Sequence, residues 1–167
     1  MVEATDQPMQ PEPPAKPEPP LRMYPGRLDD RGRVKLPVDF QEYFSALGEK
    51  RFFVTSLNRR TAQVYTIPAW RENAKFLASY REDPKVAERV AFNAADLGAE
   101  AELDKEGRIL FSVELRRELG IENQPVRLYA YRNRIEVLSD KIYQERKGDA
   151  SVDPVGDLAK LEAAGLN

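Results

Sequence analysis

Apolar and polar positions along the chain follow the same order twice, 75 residues apart. In the first copy, Phe40, Tyr43, Phe44 and Leu47 recur at the i, i+3, i+4, i+7 spacing of an amphipathic helix, which Gly48 ends. Each copy places a short apolar strand and a tight turn before its helix, and two apolar runs around a polar turn after it. This agreement predicts a duplicated unit of mixed α and β structure.

The second copy predicts a helix of matching length and phase. Ser112 is suited to its N-cap, Leu115 and Leu119 lie one turn apart, and Gly120 ends it. The apolar runs that follow the helix predict a closing pair of strands, as in the first copy.

The segment between the copies predicts two further helices. The first covers residues 68–81 and includes Trp70, which we interpret as a core anchor rather than a binding residue. The second is short and opens at Asp83 and Pro84, an N-cap followed by a proline at the first helical position. Residues 139–147 predict the corresponding helix after the second copy.

Proline distribution separates the amino-terminal end from the rest of the chain. Residues 1–20 hold seven of the 13 prolines and hardly any large apolar side chain, so they cannot bury a core. A proline-rich peptide ligand has a similar composition, but we favour a plain linker. The predicted division is a disordered proline-rich tail (1–20), a first repeat (21–67), a helical connector (68–95), a second repeat (96–147) and an acidic, weakly ordered tail (148–167).

The formal net charge of −2 conceals an uneven distribution. Residues 1–20 and 148–167 each carry −3, which leaves +4 on residues 21–147 from 24 basic and 20 acidic side chains. Within that core, residues 21–90 carry +5 and residues 91–147 carry −1. A basic first repeat points to a polyanionic partner, although charge says nothing about the fold.

Several classes of function lack their usual residues. The chain has no cysteine and no histidine, which removes thiol chemistry, disulfides, the commonest acid-base side chain and the commonest nitrogen ligand of zinc. It also lacks a glycine-rich phosphate loop and a paired-carboxylate motif. We therefore expect no enzyme, no catalytic residue, no metal and no cofactor. Without an apolar stretch of membrane-spanning length or a secretory signal, we expect a cytoplasmic protein that does not bind membranes.

The two tight turns carry the candidate chemistry. Each has the sequence Leu-Asp-x-x-Gly-Arg, at residues 28–33 and 103–108. A short carboxylate at the second position accepts hydrogen bonds from backbone N–H groups further along and closes the turn, and glycine permits a positive φ. The turn-forming residues are Asp29, Gly32, Asp104 and Gly107.

A rigid turn of this kind presents cations that suit phosphates and the acceptor edge of guanine. The candidate DNA-binding cations are Arg31, Arg33, Lys105 and Arg108. An alternative stays open for Arg33, which is spaced to pair with Asp29 across its own turn. The second turn also contains Glu106, which repels phosphate, so we expect the second repeat to make the weaker contact.

The D-x-x-G-R turn, the strand and helix after it, and the closing strand at residues 134–137 resemble the AbrB/SpoVT superfamily of swapped-hairpin DNA-binding domains. Two copies joined by a connector that begins at Ile67 and Pro68 resemble the MraZ family, over about residues 23–144. The resemblance implies an α+β fold of two β-α-β-β halves packed as an internal pseudo-dimer. It also implies a ring-like homo-oligomer that represses a bacterial division and cell-wall gene cluster through tandem G-rich boxes at its own promoter.

Carried over to this sequence, the DNA-facing positions of the family fall on the two turns, and we add Arg27 just before the first. Here the strand before Asp29 is short and Pro25 removes a backbone donor, so its partner in the sheet is open. We expect a sequence-specific repressor that binds double-stranded DNA in the cytoplasm and nucleoid. The alternatives are a ring-forming scaffold with weak DNA binding, a related antitoxin and, last, an enzyme.

Overall fold

A computed structural model describes residues 8–11 and 15–167 of the chain. Within these residues the chain forms strands and helices in an order that confirms the predicted α+β class. In chain order they are β1 (Tyr24–Arg27), β2 (Arg33–Lys35), α1 (Val38–Leu47), β3 (Arg51–Thr55), β4 (Ala62–Thr66), α2 (Ile67–Ser79), α3 (Pro84–Leu97), β5 (Ala99–Glu102), β6 (Arg108–Leu110), α4 (Val113–Leu119), β7 (Pro125–Tyr131), β8 (Arg134–Ser139), α5 (Asp140–Ala150) and α6 (Pro154–Ala164).

The two repeats exchange their first strands. Six strands form one sheet in the order β1-β7-β8-β4-β3-β5, so β1 pairs with the second repeat and β5 pairs with the first. The strands β2 and β6 form a separate antiparallel ribbon. Each half therefore has the order β-β-α-β-β rather than the expected β-α-β-β. The additional strand in each half is the three-residue strand directly after its turn, which the turn pattern indicated and the β-α-β-β order left out.

One core serves both repeats. Phe44 of α1 packs edge-on against Phe52 of β3, with ring centroids 4.7 Å apart, and also contacts Phe40. From the second repeat, Leu115 of α4 and Ile109 of β6 are fully buried in the same cluster. Because the exchanged strands and both helices share this cluster, neither half has a complete core by itself.

The connector helices follow the sequence prediction closely. Trp70 is half-buried and stacks on Phe53 at 4.9 Å between ring centroids, with Tyr65 at 5.3 Å, so it packs α2 onto the sheet as predicted, but it lines a groove rather than the buried core. The Asp83 side chain accepts a hydrogen bond from the N–H of Val86 and caps α3, which runs two residues beyond the expected end near residue 95.

The first strand lies at an edge of the sheet. Pro25 stands opposite Arg127 of β7, which settles the partner that the sequence left open. At an edge the missing proline N–H faces no second strand, so the ladder tolerates it.

Of the proline-rich tail, residues 1–7 and 12–14 lie outside the described residues. In its described part, Pro17 and Pro19 are half-buried, and Pro19 lines a cavity of about 300 Å³ with Tyr43.

The carboxyl-terminal residues form two helices. The first, α5, packs against β7 and β8. The second, α6, lies within residues 148–167, for which the sequence predicted a weakly ordered tail, and none of its side chains is buried. In the part of the chain that the structure describes, no helix has the length and apolar character needed to cross a membrane.

Candidate nucleic-acid interface

The first turn is closed by Asp29. One of its carboxylate oxygens, Oδ1, accepts the backbone N–H groups of Arg31 and Arg33, both at 2.9 Å. Its backbone exchanges hydrogen bonds with the far side of the turn: the N–H of Asp29 donates to Arg33 at 2.8 Å, and Gly32 donates to Asp29 at 3.1 Å. Gly32 has a φ of 80°, a conformation that side chains other than glycine adopt at a cost.

The second turn repeats these bonds. Asp104 accepts the N–H groups of Glu106 and Arg108, both at 2.9 Å, and Gly107 has a φ of 76°. Asp104 also donates its N–H to the carbonyl of Arg108 at 2.9 Å. The shared Leu-Asp-x-x-Gly-Arg pattern of the two turns therefore corresponds to the same set of backbone hydrogen bonds.

The β2/β6 ribbon brings the two turns together. The N–H of Leu36, just after β2, donates to the carbonyl of Gly107 at 2.9 Å, and the N–H of Phe111, just after β6, donates to the carbonyl of Gly32 at 2.9 Å. Each turn is thus bonded to the strand of the other repeat. The candidate residues of both repeats consequently lie on one small surface.

The ribbon has one buried and one outward face. Val34 and Ile109 point into the core and are fully buried. The alternate positions form the outward face, which we call the ribbon face, where Arg33 stands opposite Leu110 and Lys35 opposite Arg108. The ribbon face therefore carries three cations and one leucine, which is 53% exposed. The residues of the ribbon face are Arg33, Lys35, Arg108 and Leu110.

Both ribbon arginines pair with the aspartate of their own turn. The distance from Arg33 Nε to Asp29 Oδ2 is 3.1 Å, and the distance from Arg108 Nε to Asp104 Oδ2 is 2.8 Å. The alternative open from the sequence is thus realised in the geometry, but it occupies only the Nε side of the guanidinium. Within the described residues, the terminal nitrogens of Arg33 make no ion pair.

The terminal nitrogens distinguish the two turns. Arg108 Nη2 contacts Glu106 Oε2 at 2.8 Å, so the second turn neutralises part of its own cation. Arg31 occupies the position of Glu106 in the first turn and is exposed. The neighbouring Lys105 is exposed as well. Each turn contains two acids and two bases, since Asp30 stands in the first turn where Lys105 stands in the second, but the arginines of the first turn keep nitrogens that make no ion pair within the described residues.

The hydrogen bonds at the turns lower the pKa of both aspartates. For Asp29 the backbone N–H of Arg33 contributes most to the lowered pKa, and for Asp104 the backbone N–H of Arg108 does. The pKa of Arg108 is raised, chiefly because its side chain donates to Asp104. The carboxylate form is thus the form that closes each turn.

We therefore expect the folded state to lose stability in acid. A carboxyl group whose pKa is lower in the folded than in the unfolded chain stabilises the fold above its unfolded pKa, and this contribution disappears as the pH falls through the folded pKa. The melting temperature should decrease when the pH is lowered past about 4, the pH range in which ordinary carboxyl groups take up protons. In the Asp29→Asn, Asp104→Asn variant this fall should be smaller; an unchanged pH profile would contradict the assignment.

Four further residues beside the two turns were not identified from the sequence. Because side chains alternate along a strand, Lys35 lies on the same face as Arg33, and Leu110 lies on the same face as Arg108. These two residues could therefore have been identified from the sequence. The other two come from opposite helices and have no local signal. A Cβ atom at Gly32 would collide with the guanidinium of Arg116, and a Cβ atom at Gly107 would collide with the amide of Gln41. These further residues are Lys35, Gln41, Leu110 and Arg116.

Arg116 adds to the difference between the turns, because it places a cation over the first turn where the second has a neutral amide. Its Nε atom is buried and has no hydrogen-bond partner within the described residues. Arg27 lies apart from these groups. It is exposed, and its Nη2 donates to the backbone oxygen of Asn123 at 2.8 Å, so its guanidinium is engaged by the loop before β7.

Fold and site together define a duplicated α+β protein with exchanged strands and a cationic ribbon face that suits a polyanion. No family model matches the chain. Transcriptional regulator MraZ of Caldicellulosiruptor saccharolyticus is 31% identical over 142 residues, 83% of this chain and 94% of the relative. The protein of that name from Acetivibrio thermocellus is 31% identical over 144 residues, 86% of this chain and 96% of the relative.

A third relative, Transcriptional regulator MraZ of Acidobacterium capsulatum, is 25% identical over 122 residues, which are 73% of this chain and 83% of the relative. The chain belongs to the MraZ family. The resemblance inferred from the two turns and the connector is thereby confirmed.

Proposed function

We propose that this protein regulates transcription by binding double-stranded DNA through the ribbon face and the two turns beside it. The observation that carries the proposal is the convergence of both turns on one ribbon, which places Arg31, Arg33, Lys35, Lys105 and Arg108 within a single small surface. The names of its relatives support the same role. We infer no catalytic activity.

The proposed interface makes two kinds of contact, one to phosphates and one to base edges. Phosphates supply most of the attraction and its salt dependence, and they suit the exposed Arg31 and Lys105. Base edges supply the sequence preference, and the free terminal nitrogens of Arg33 suit the two acceptors of guanine. The ion pair with Asp29 then holds the guanidinium in one orientation, since it uses Nε and leaves the outer edge available.

The resemblance to the MraZ family is the basis for proposing the mode of regulation, the target DNA and the location. We propose that the protein is a repressor, that it binds tandem G-rich boxes at its own promoter in a division and cell-wall gene cluster, and that it acts in the cytoplasm at the nucleoid. A single ribbon face offers few contacts, so several copies on repeated boxes would supply the affinity. Self-association into a ring is the arrangement we propose for those copies.

A gel-shift titration at about 50 and 200 mM salt tests the proposal. The probe is the DNA upstream of the protein's own operon, and the control is a scrambled fragment of equal length. We expect weaker binding to both fragments at the higher salt and a preference for the upstream fragment that persists. Equal affinity for the two fragments at both salt concentrations would contradict sequence-specific binding.

Reversing the charge at Glu106 should strengthen binding. Glu106→Lys removes the ion pair with Arg108 Nη2 and adds a cation to the second turn, so affinity should rise on any DNA and the salt dependence should steepen by about one phosphate contact per engaged subunit. The matched control is Glu82→Lys, the same charge change in the exposed loop between α2 and α3. If both variants gain equally, the effect is one of net charge rather than of the turn.

Two observations favour a second candidate function, a scaffold with weak DNA binding. Both ribbon arginines are paired with acids of their own turns, and each end of the chain carries −3. The same gel shift, with light scattering of the free protein, separates the two candidates, because a scaffold forms an oligomer but binds both fragments weakly and without preference.

A further inference from the structure

A charged cavity lies on the face of the six-stranded sheet that points away from the core. Side chains alternate between the two faces of a strand, and in β8 Ile135 and Val137 belong to the core, so Arg134 and Glu136 lie on the other face. The cavity there has a volume of about 370 Å³ and is lined by residues of both repeats. These residues are Asn58, Tyr129, Tyr131, Arg134, Glu136 and Arg146.

A buried ion pair lines this cavity. Glu136 is 3% exposed, and Arg134 Nε donates to its Oε1 atom at 2.6 Å. Gln63 stands opposite Glu136 in the ladder between β4 and β8 and donates its side-chain amide to Oε2 at 3.2 Å. Removing two charges from water costs free energy that their attraction hardly repays, so such a pair contributes little to stability. A role in binding accounts for it better.

Arg134 has hydrogen-bonding capacity that the chain itself does not use. Its terminal nitrogens make no ion pair within the described residues, and its guanidinium lies 5.3 Å from the centroid of the Tyr131 ring and 6.0 Å from that of Tyr65. The hydroxyl of Tyr65 is buried and has no hydrogen-bond partner in the described part of the chain. An anionic ligand would use the nitrogens of Arg134 that the protein leaves free.

A second guanidinium reaches the cavity from α5. Arg146 Nη1 donates to the hydroxyl of Tyr129 at 2.8 Å, and Arg146 makes no ion pair within the described residues. Its neighbour on the helix, Glu145, is paired with Arg60. The lining thus holds two arginines and one glutamate, and one positive charge stays uncompensated. Two guanidiniums suit a phosphate group, because each presents a planar row of donors to its oxygens.

Two tyrosines add flat aromatic surface to the same cavity. Tyr129 and Tyr131 project from one face of β7 with ring centroids 6.4 Å apart, and Tyr131 is 44% exposed. Exposed aromatic rings of this kind stack on nucleobases. The volume falls within the range of about 300 to 1,000 Å³ that is typical of small-molecule sites. The lining therefore fits a ligand that joins a phosphate to a planar ring.

Comparison of the repeats explains why the cavity is open. Gln63 and Glu136 are equivalent positions, each three residues before the N-cap of the following helix. Thr55 stands opposite Gln63 as Tyr129 stands opposite Glu136, and the hydroxyl of Thr55 donates to Ala94 of α3 at 2.8 Å. The helix α3 thus covers this position in the first repeat. In the second repeat the corresponding helix, α6, buries no side chain, so the space beside Tyr129 stays free.

We propose that this cavity binds a nucleoside monophosphate, with the phosphate between Arg134 and Arg146 and the base against Tyr131. The ribbon packs on the core side of the sheet, so the cavity is separate from the ribbon face and does not rest on the proposed DNA binding. Asn58 comes from the first repeat and the other lining residues from the second, so a bound nucleotide contacts both halves of the chain.

Isothermal titration calorimetry of the full-length, DNA-free protein with adenosine monophosphate tests the proposal. We expect saturable binding, with adenosine and inorganic phosphate each at least about tenfold weaker, because each lacks one part of the ligand. Arg146→Gln and Tyr131→Ala should also weaken binding about tenfold, the effect of losing one hydrogen bond to a charged group or one stacked ring. The matched control, Lys147→Gln, removes a charge from the next residue of α5, outside the cavity, and should bind normally.

The ribbon provides a second control. The Arg31→Ala, Arg33→Ala variant should bind the nucleotide as the unchanged protein does, and circular dichroism should show that every variant is folded. Absence of binding to the unchanged protein would overturn the proposal, as would equal binding by Arg146→Gln, Tyr131→Ala and Lys147→Gln. So would loss of binding in the ribbon variant alone, since the nucleotide would then occupy the proposed DNA surface. Inorganic phosphate that binds as tightly as the nucleotide would exclude a contribution from the ring and overturn it too.

Discussion

Replacing Arg31 and Arg33 together with alanine should nearly abolish DNA binding, while the same change at Lys105 and Arg108 should leave a measurable part of it. The arginines of the first turn keep nitrogens that make no ion pair within the described residues, whereas Arg108 pairs with Glu106 as well, and each guanine contact contributes about 1 to 3 kcal/mol. Several engaged subunits would each lose that contribution, so the first variant should bind at least about a hundredfold more weakly. Fluorescence anisotropy with the upstream fragment measures the difference.

A double substitution elsewhere provides the control for lost charge. Lys50→Ala, Lys141→Ala removes the same two charges from exposed positions outside the ribbon and the turns, and it should weaken binding only slightly. Circular dichroism should show that all three variants are folded. If the Lys105 and Arg108 variant is the weaker binder, the second turn dominates and the ion pair of Arg108 with Glu106 opens on DNA.

Phe44→Ala should lower the free energy of unfolding by about 3 to 5 kcal/mol, the usual cost of removing a buried phenylalanine ring. Phe44 is 4% exposed and packs on Phe52 and Phe40, so its removal leaves apolar neighbours without their packing partner. The transition should stay single, because strand exchange gives both repeats one core. Denaturant unfolding followed by Trp70 fluorescence and by circular dichroism checks both points.

The matched control for this prediction is Phe76→Ala. Phe76 lies on α2 and is 61% exposed, so its removal should change the free energy of unfolding by no more than about 0.5 kcal/mol. Two separate transitions in the Phe44→Ala variant would show that the second repeat folds without the first, against the shared core.

The sequence predicted the positions of the helices well because their signals are local, although α1 has 10 residues and α4 has 7 where equal lengths were expected. Phe40 and Phe44 recur at helical spacing, Ser112 caps α4 by accepting from the N–H of Leu115, and Gly48 and Gly120 end their helices in the left-handed conformation. Strand exchange has no such local signal. Which hairpin the strand at residues 24–27 joins depends on contacts about a hundred residues away, which no periodicity encodes.

The residues of the site also differ in whether a local sequence signal identifies them. The two aspartates and two glycines of the turns could be assigned roles from a few adjacent residues, because a turn is closed by its own backbone. The pairing of Arg33 with Asp29 stayed open from the sequence, since spacing permits it without requiring it. Arg116 and Gln41 reach the turns from helices of the opposite repeats, so only the folded chain places them there.

The two halves of the ribbon face differ, so the face has two distinct ends. A dimer of identical hairpins has a true two-fold axis and matches palindromic DNA. Here the duplication is in one chain, and its halves differ: Lys35 occupies the position that Leu110 has in the second repeat, and Arg116 covers one turn where Gln41 covers the other. A DNA segment in contact with both halves would meet two different ends. Sites arranged as direct repeats, all pointing the same way, match such a subunit better than inverted ones.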